Sequence, residues 1–232
     1  MSALPEENDL PAAVLWDMDG TLVDTEPYWI EAEHEIVAEH GGVWTEEHAH
    51  ALVGNPLIIS AEYIRAHGGV DLPPEEIVDR LLERVVAAVR RRVPWRPGAR
   101  ELLDELTGDG VPCALVTMSW TPLADAVLEQ LPPGTFEVVV TGDQVLHGKP
   151  HPEPYLAAAE LLGVRPEDCL AIEDSPTGVE SASAAGVPVV AVPAVVPVPP
   201  GPGHLVVPTL EGRGAAELYA SALAHVVANP LT

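Results

Sequence analysis

The second half of the chain alternates between short apolar stretches and helix-like segments, and this alternation constrains the fold most strongly. Residues 112–117, 136–141, 168–173 and 187–192 are short runs rich in Val, Leu and Ala, and helical patterns lie between them. Residues 12–16 are a similar run near the start of the chain. Strands that alternate with helices favour a parallel sheet covered on both faces. The sequence therefore predicts an α/β fold with a doubly wound parallel sheet.

A helical insert interrupts this pattern directly after the first predicted strand. Residues 73–92 open with prolines and acids and close on three arginines, an order that suits a helix dipole at both ends. We predict an α-helical cap domain at 27–94, inserted into a core made of 1–26 and 95–232. Ligands of open α/β sheets bind at the carboxyl ends of the strands, so the insert begins beside the predicted site.

The composition excludes several classes of partner. The net charge is −25, with 11 basic against 36 acidic residues, so non-specific binding to nucleic acid or to an anionic membrane is not expected. The chain shows no basic and apolar leader sequence and no apolar run of membrane-spanning length. These features predict a soluble, cytoplasmic protein without nucleic-acid or membrane partners. The oligomeric state is left open, with a monomer favoured.

Polar side chains follow several of the predicted strands. Asp17 and Asp19 come directly after the first strand, Thr117 ends the next strand of the alternating region, and Glu173 and Asp174 end a later one. Burying several acids together is expensive unless a cation compensates for their charge. The sequence therefore predicts a cation at the edge of the sheet where these strands end.

Lys149 stands out because it is the only lysine in the chain, against ten arginines. Because Arg is used at every other position that carries a permanent positive charge, a lone Lys indicates that this position needs a compact ammonium group. Carboxylates, a hydroxyl and an ammonium at one sheet edge suit Mg²⁺ together with a phosphate group. A ligand that carries a phosphate group is thus the expected partner.

Four stretches resemble the motifs of the haloacid dehalogenase superfamily, in the same order and with similar spacing. They are DMDGTLVDTEP from Asp17, ALVTMS ending at Ser119, GKPHPEPY around Lys149, and AIEDSPTGVESASAAG around Asp174. The match covers nearly the whole chain, and the insert is similar to the small α-helical cap of subfamily IA. The resemblance implies a Rossmann-like core with phosphoryl-transfer chemistry.

The same resemblance implies roles for the acidic residues. Asp17 would be the nucleophile that forms an aspartyl-phosphate, and Asp19 would be the general acid and then the general base. Mg²⁺ would be held by Asp17, the backbone carbonyl of Asp19 and Asp174, with Glu173 supporting the metal site. The implied reaction is Mg²⁺-dependent hydrolysis of small phosphomonoesters, such as sugar or other metabolite phosphates.

The remaining site residues would bind the phosphate and the leaving group. The resemblance implies that Thr117 and Lys149 contact the phosphoryl group and act in catalysis. The predicted phosphate-binding set is Thr117, Met118, Ser119 and Lys149. The candidates for substrate specificity are Trp29, Asn55 and Trp120, for which ordinary packing is the alternative. Among nine histidines, His151 near Lys149 could touch substrate or simply be exposed.

Two other functions stay open at this stage. One is a sugar-phosphate mutase similar to β-phosphoglucomutase, but such mutases typically carry an Arg three residues after a cap glycine. Here Leu57 follows Gly54 at that distance, Trp29 replaces an expected His, and the cap has no Lys. The other is a non-hydrolytic phospho-acceptor or binding protein, which would not need Asp19 and a cap. A phosphatase is therefore the favoured prediction.

Overall fold

A computed structural model describes residues 9–52 and 56–229 of the chain. The strands are β1 (Ala13–Trp16), β2 (Cys113–Val116), β3 (Val138–Val140), β4 (Cys169–Glu173), β5 (Val189–Ala191) and β6 (His204–Val206). The helices are α1 (Glu26–Glu39), α2 (Glu46–His50), α3 (Leu57–Gly68), α4 (Pro74–Arg91), α5 (Ala99–Gly108), α6 (Thr121–Leu128), α7 (Glu153–Leu162), α8 (Pro176–Ala184) and α9 (Ala215–Ala228), with a 3₁₀ turn at Pro166–Asp168.

The six strands form one parallel sheet in the order β3-β2-β1-β4-β5-β6. Strand β1 lies at the centre, where Val14 aligns with Cys113 of β2 on one side and Leu170 of β4 on the other. Every residue of β1, β2 and β4 is buried, as expected for a sheet with covered faces. The predicted α/β fold with a doubly wound parallel sheet is confirmed.

The last of the strand-like runs in the sequence is 187–192, but a sixth strand, β6, follows it in the structure. Strand β6 continues the sheet beyond β5, with His204 aligned to Val189. It spans three residues and follows the proline-rich stretch 193–203. A strand this short shows no alternation of its own, so its conformation depends on pairing with β5.

The chain divides into two compact units, which are described separately. The α/β unit comprises the described residues up to Asp24, Trp95–Ala124, and the described residues from Leu131 onward. The helical unit comprises Thr25–Pro94 and Asp125–Gln130. The cap domain predicted from the sequence at 27–94 remains a prediction. None of the helices in the described ranges is both long and apolar enough to cross a membrane.

In the helical unit, α1, α3 and α4 pack against one another. Helix α4 buries a stripe of apolar side chains at intervals of four residues: Ile77, Leu81, Val85 and Val89. On its more exposed side, Arg84 donates to Glu35 at 3.2 Å and to Glu39 at 2.6 Å. The apolar stripe contributes most of the stability of this helix packing, because exposed ion pairs contribute little.

The buried Glu33 of α1 should make the stability of the protein depend on pH. Burial raises the pKa of its carboxyl from 4.5 to about 7, and the hydrogen bond from Trp44 Nε1 (3.0 Å) opposes that shift only in part. The unfolded chain releases this proton near pH 4.5, and the folded protein releases it near pH 7. Stability therefore falls as the pH rises through this interval and stays low above it.

Replacing Glu33 by Gln removes the buried charge but keeps an oxygen that can accept from Trp44. We expect Glu33→Gln to stabilise the protein by up to about 3 kcal/mol at pH 8 and by much less at pH 5. Denaturant unfolding at both pH values measures this, with Glu47→Gln at an exposed position as the control. An equal effect of Glu33→Gln at both pH values would contradict the raised pKa.

Candidate active site

The loop after β1 places two carboxylates at the carboxyl end of the sheet. Asp17 continues the ladder for one residue, since its N–H donates to the carbonyl of Ile172 at 3.0 Å. The chain then turns about the buried Met18, whose carbonyl accepts from Leu22 N at 2.9 Å and Val23 N at 3.0 Å. The side chain of Asp17 is only 10% exposed. A buried acid therefore lies at the centre of the sheet edge.

Two glycines let the acidic loops approach closely. Gly20 has a φ of +85°, and a Cβ at this position would collide with the carboxylate of Asp174. Gly178 lies in the first turn of α8, where a Cβ would collide with the carboxylate of Glu173. The hydroxyl of Ser175 caps the same helix by accepting from Gly178 N at 3.1 Å. Neither approach is possible with a larger residue.

Lys149 joins the carboxyl ends of three strands through its ammonium group. The Nζ atom donates to Asp17 Oδ1 at 2.7 Å, Glu173 Oε1 at 2.6 Å and the Val116 carbonyl at 2.9 Å. Its side chain is 5% exposed. Burial alone would lower the pKa of Lys149, but the charges of Asp17 and Glu173 outweigh burial and raise it above its ordinary value. The ammonium is therefore a permanent positive charge in the site.

Tyr155 is a site residue that the sequence interpretation did not identify. It lies on α7, is fully buried, and donates from its hydroxyl to Glu173 Oε1 at 2.5 Å. Burial, followed by the charge of Glu173, raises the pKa of the Tyr155 hydroxyl well above its usual range, so it remains a donor. The available signal was a tyrosine on an apolar helix face, since a buried hydroxyl normally needs a partner.

The hydroxyls that follow β2 bind Asp19. Its Oδ2 atom accepts from Ser119 Oγ at 2.7 Å and from Thr117 Oγ1 at 3.3 Å. Thr117 Oγ1 also accepts from Ser119 N at 2.9 Å, which holds the turn together. Met118 lies beside the GKPHPEPY stretch, where its sulfur is 3.2 Å from Lys149 N. The phosphate-binding role of these residues stays a prediction.

Three carboxylates converge on a position suited to a cation. Asp17, Glu173 and Asp174 each offer an oxygen, and these oxygens lie within 4.8 Å of one another. Asp17 Oδ2 is buried and has no hydrogen-bond partner among the described residues. Burial, together with the charges of Asp17 and Glu173, raises the pKa of Asp174 to about 8. A bound divalent cation would take the place of that proton and satisfy the orphaned oxygen.

The candidates for substrate specificity lie in separate parts of the chain. Trp29 is a partly exposed residue of α1 in the helical unit. Trp120 follows Ser119 in the α/β unit and is also partly exposed. Asn55 lies outside the described residues. Their predicted role in substrate specificity stays a prediction.

The sequence is similar to known proteins over most of its length. Residues 14–192 match the family described as haloacid dehalogenase-like hydrolase. Hexitol phosphatase A of Escherichia coli is 37% identical over 179 residues, which cover 77% of this chain and 81% of that protein. A phosphorylated carbohydrates phosphatase of Thermotoga maritima is 36% identical over 183 residues, which cover 75% of this chain and 82% of that protein.

A solved structure shows the same similarity in three dimensions. The crystal structure of CbbY from Rhodobacter sphaeroides in complex with phosphate has a TM-score of 0.80 and 28% sequence identity. The match covers 90% of this chain and 99% of that one. The resemblance drawn from the four motifs is thereby confirmed.

Proposed function

This chain belongs to the haloacid dehalogenase-like hydrolase family, and we propose that it hydrolyses small sugar or other metabolite phosphates with Mg²⁺ as its cofactor. It is a phosphoric monoester hydrolase, as the phosphatases among its relatives indicate. The observation that carries the detailed proposal is the position of Asp17. One of its oxygens is bound by Lys149, and the other is buried without a hydrogen-bond partner among the described residues.

In the first step, the Asp17 carboxylate attacks phosphorus and the bond to the leaving alcohol breaks. Asp19 gives its proton to the departing oxygen, so an alcohol and an aspartyl-phosphate result. In the second step, Asp19 takes a proton from a water molecule that attacks the same phosphorus. Inorganic phosphate leaves and the Asp17 carboxylate is restored. Proton transfer of this kind typically contributes about 10²–10⁴-fold to the rate.

The other polar residues support this chemistry by charge and position. We assign Lys149 to neutralise phosphoryl oxygens and to orient Asp17 through their 2.7 Å bond. The hydroxyls of Thr117 and Ser119 hold Asp19 in place, and they can also donate to a phosphoryl group. Backbone groups of Met118 would join them in binding phosphate.

We propose that Asp17, the Asp19 carbonyl and Asp174 hold the Mg²⁺. Glu173 supports them, because its carboxylate already accepts from Lys149 and Tyr155. When bound, the cation supplies charge neutralisation and polarises phosphoryl oxygens. The helical domain at 27–94 is proposed as the cap that selects the leaving group, since it enters the chain directly after the loop that carries Asp17 and Asp19.

Metal-dependent phosphate release tests the proposal. In Mg²⁺, we expect release of inorganic phosphate from several hexose and hexitol phosphates. In EDTA, the rate of release should fall by at least about 100-fold. The panel should include phosphoglycolate and an aryl phosphate to rank the leaving groups. The Asp17→Asn variant, purified in the same way, controls for contaminating phosphatases.

Each alternative function has its own result in the same experiment. Isomerised hexose phosphate without release of inorganic phosphate would indicate the mutase. Neither product, from a protein that is folded, would indicate a phospho-acceptor or binding role. Release that persists fully in EDTA would contradict the metal-dependent mechanism.

A further inference from the structure

A second group of potential metal ligands lies outside the carboxylate cluster of Asp17. His147, His151 and Glu153 lie between β3 and the first turn of α7, and each offers one ligand atom. These three atoms lie within 4.8 Å of one another. His147 Nδ1 is 2.8 Å and His151 Nδ1 is 3.9 Å from the same oxygen, Glu153 Oε2. The two imidazole rings are 4.6 Å apart between centroids.

These distances suit a small transition-metal ion. Zn²⁺ binds imidazole nitrogen and carboxylate oxygen at about 2.0–2.2 Å, which places ligands of a tetrahedral ion about 3.3 Å apart. The separations from Glu153 Oε2, 2.8 Å to His147 and 3.9 Å to His151, lie on either side of that value. Side-chain shifts of about 0.5–0.6 Å would bring both pairs to that separation. Coordination through Nδ1 would replace the bond between His147 Nδ1 and Glu153 Oε2 and the bond that His151 Nδ1 accepts from Glu153 N at 3.2 Å.

The carboxylate of Glu153 is already fixed by the backbone of the loop. Its Oε1 accepts from Leu146 N at 2.8 Å, and its Oε2 accepts from His147 N at 3.1 Å. These backbone bonds, followed by the contact with His147, lower the pKa of Glu153, so the group is ionised at neutral pH. An ordered, charged ligand costs less entropy to bind a metal than a freely rotating one.

The cluster is also open to solvent. The side chains of His147 and His151 are 64% and 51% exposed, and that of Glu153 is 28% exposed. An ion can therefore reach the site and keep water in its remaining coordination positions. The carbonyl of His151 accepts from Ser181 Oγ at 2.6 Å, which anchors this end of the loop to α8. The net charge of −25 favours the approach of a cation.

We propose that His147, His151 and Glu153 form a second metal site, which binds Zn²⁺ or a similar divalent transition-metal ion. Two imidazoles and one carboxylate select such ions over Mg²⁺, which prefers oxygen ligands. The site is distinct from the carboxylate cluster around Asp17 in both ligand chemistry and residues. It does not depend on the proposed phosphatase mechanism.

Calorimetric titration with Zn²⁺ in excess Mg²⁺ tests the site, because Mg²⁺ competes with Zn²⁺ for oxygen ligands but not for imidazoles. We expect one Zn²⁺ per chain for the wild type. His147→Ala and His151→Ala should each weaken binding by at least about tenfold. Substituting Co²⁺ should produce a visible absorption band in the wild type that both variants lose. His50→Ala, at an exposed histidine of α2, is the matched control and should bind like the wild type.

Either of two results would overturn the proposal. One is no Zn²⁺ binding by the wild type in excess Mg²⁺. The other is unchanged affinity in a variant that lacks both His147 and His151. Melting curves without Zn²⁺ establish that each variant is folded. Zn²⁺ should then raise the melting temperature of the wild type and of the His50→Ala control, but not that of the His147 and His151 variants. None of these measurements uses phosphatase activity, so failure of the reaction mechanism would not be mistaken for failure of this site.

Discussion

The Asp17→Asn variant should fold normally and lose at least about 10³-fold in phosphatase activity. An amide cannot attack phosphorus to form an aspartyl-phosphate, so the first chemical step is blocked. The fold should survive, because Lys149 still has Glu173 at 2.6 Å and the Val116 carbonyl at 2.9 Å. Loss of the Asp17 charge also relieves repulsion that raises the pKa of Asp174. Steady-state kinetics and circular dichroism measure the two effects.

Asp19→Asn is the matched comparison, because it removes an acid from the same loop but leaves the nucleophile. With an aryl phosphate, whose leaving group needs little protonation, this variant should still form the aspartyl-phosphate and then hydrolyse it about 10²–10⁴-fold more slowly. Acid quenching and mass spectrometry should detect the phosphorylated chain in Asp19→Asn and not in Asp17→Asn. Phosphatase activity of Asp17→Asn within tenfold of the wild type would rule out the assigned nucleophile.

Replacement of Lys149 by Met should damage both stability and activity. It leaves the buried carboxylates of Asp17 and Glu173 without their shared cation, and breaking such a buried pair costs about 3–5 kcal/mol. In EDTA, the melting temperature should fall by about 6–20 °C. Phosphatase activity, measured below the melting temperature of the variant, should fall by at least about 10²-fold. Losses of this size follow removal of a donor that stabilises charge developing in the transition state.

Two further variants show whether the effect belongs to this buried ammonium. Lys149→Arg should not restore activity, because a planar guanidinium cannot occupy the space of a compact group with three converging acceptors. Arg165→Met breaks an exposed ion pair with Asp168, in which the Arg165 side chain is 70% exposed, and should change stability by less than about 1 kcal/mol. Equal losses in Lys149→Met and Arg165→Met would contradict the buried network described here.

Much of the fold could be predicted because its signals are local. The buried strands β1, β2 and β4 are continuous apolar runs, and helix α4 repeats its apolar residues every four positions. Both patterns involve residues that are neighbours in the chain, so they can be read without knowledge of the topology. Strand β6 could not be predicted in this way, because three residues carry no period and depend on β5 for their pairing.

The sequence by itself determined which residue types end the strands, and parallel pairing then required those ends to meet at one edge of the sheet. Only the tertiary structure decided how the groups connect. Lys149 contacts Asp17 across 132 positions, and the hydroxyl of Tyr155 binds Glu173, a partner that no local pattern specifies. The close approach of Gly178 to Glu173 was likewise invisible in the sequence. Such contacts depend on how the strands and helices pack, whereas the patterns that define each element depend on neighbouring residues alone.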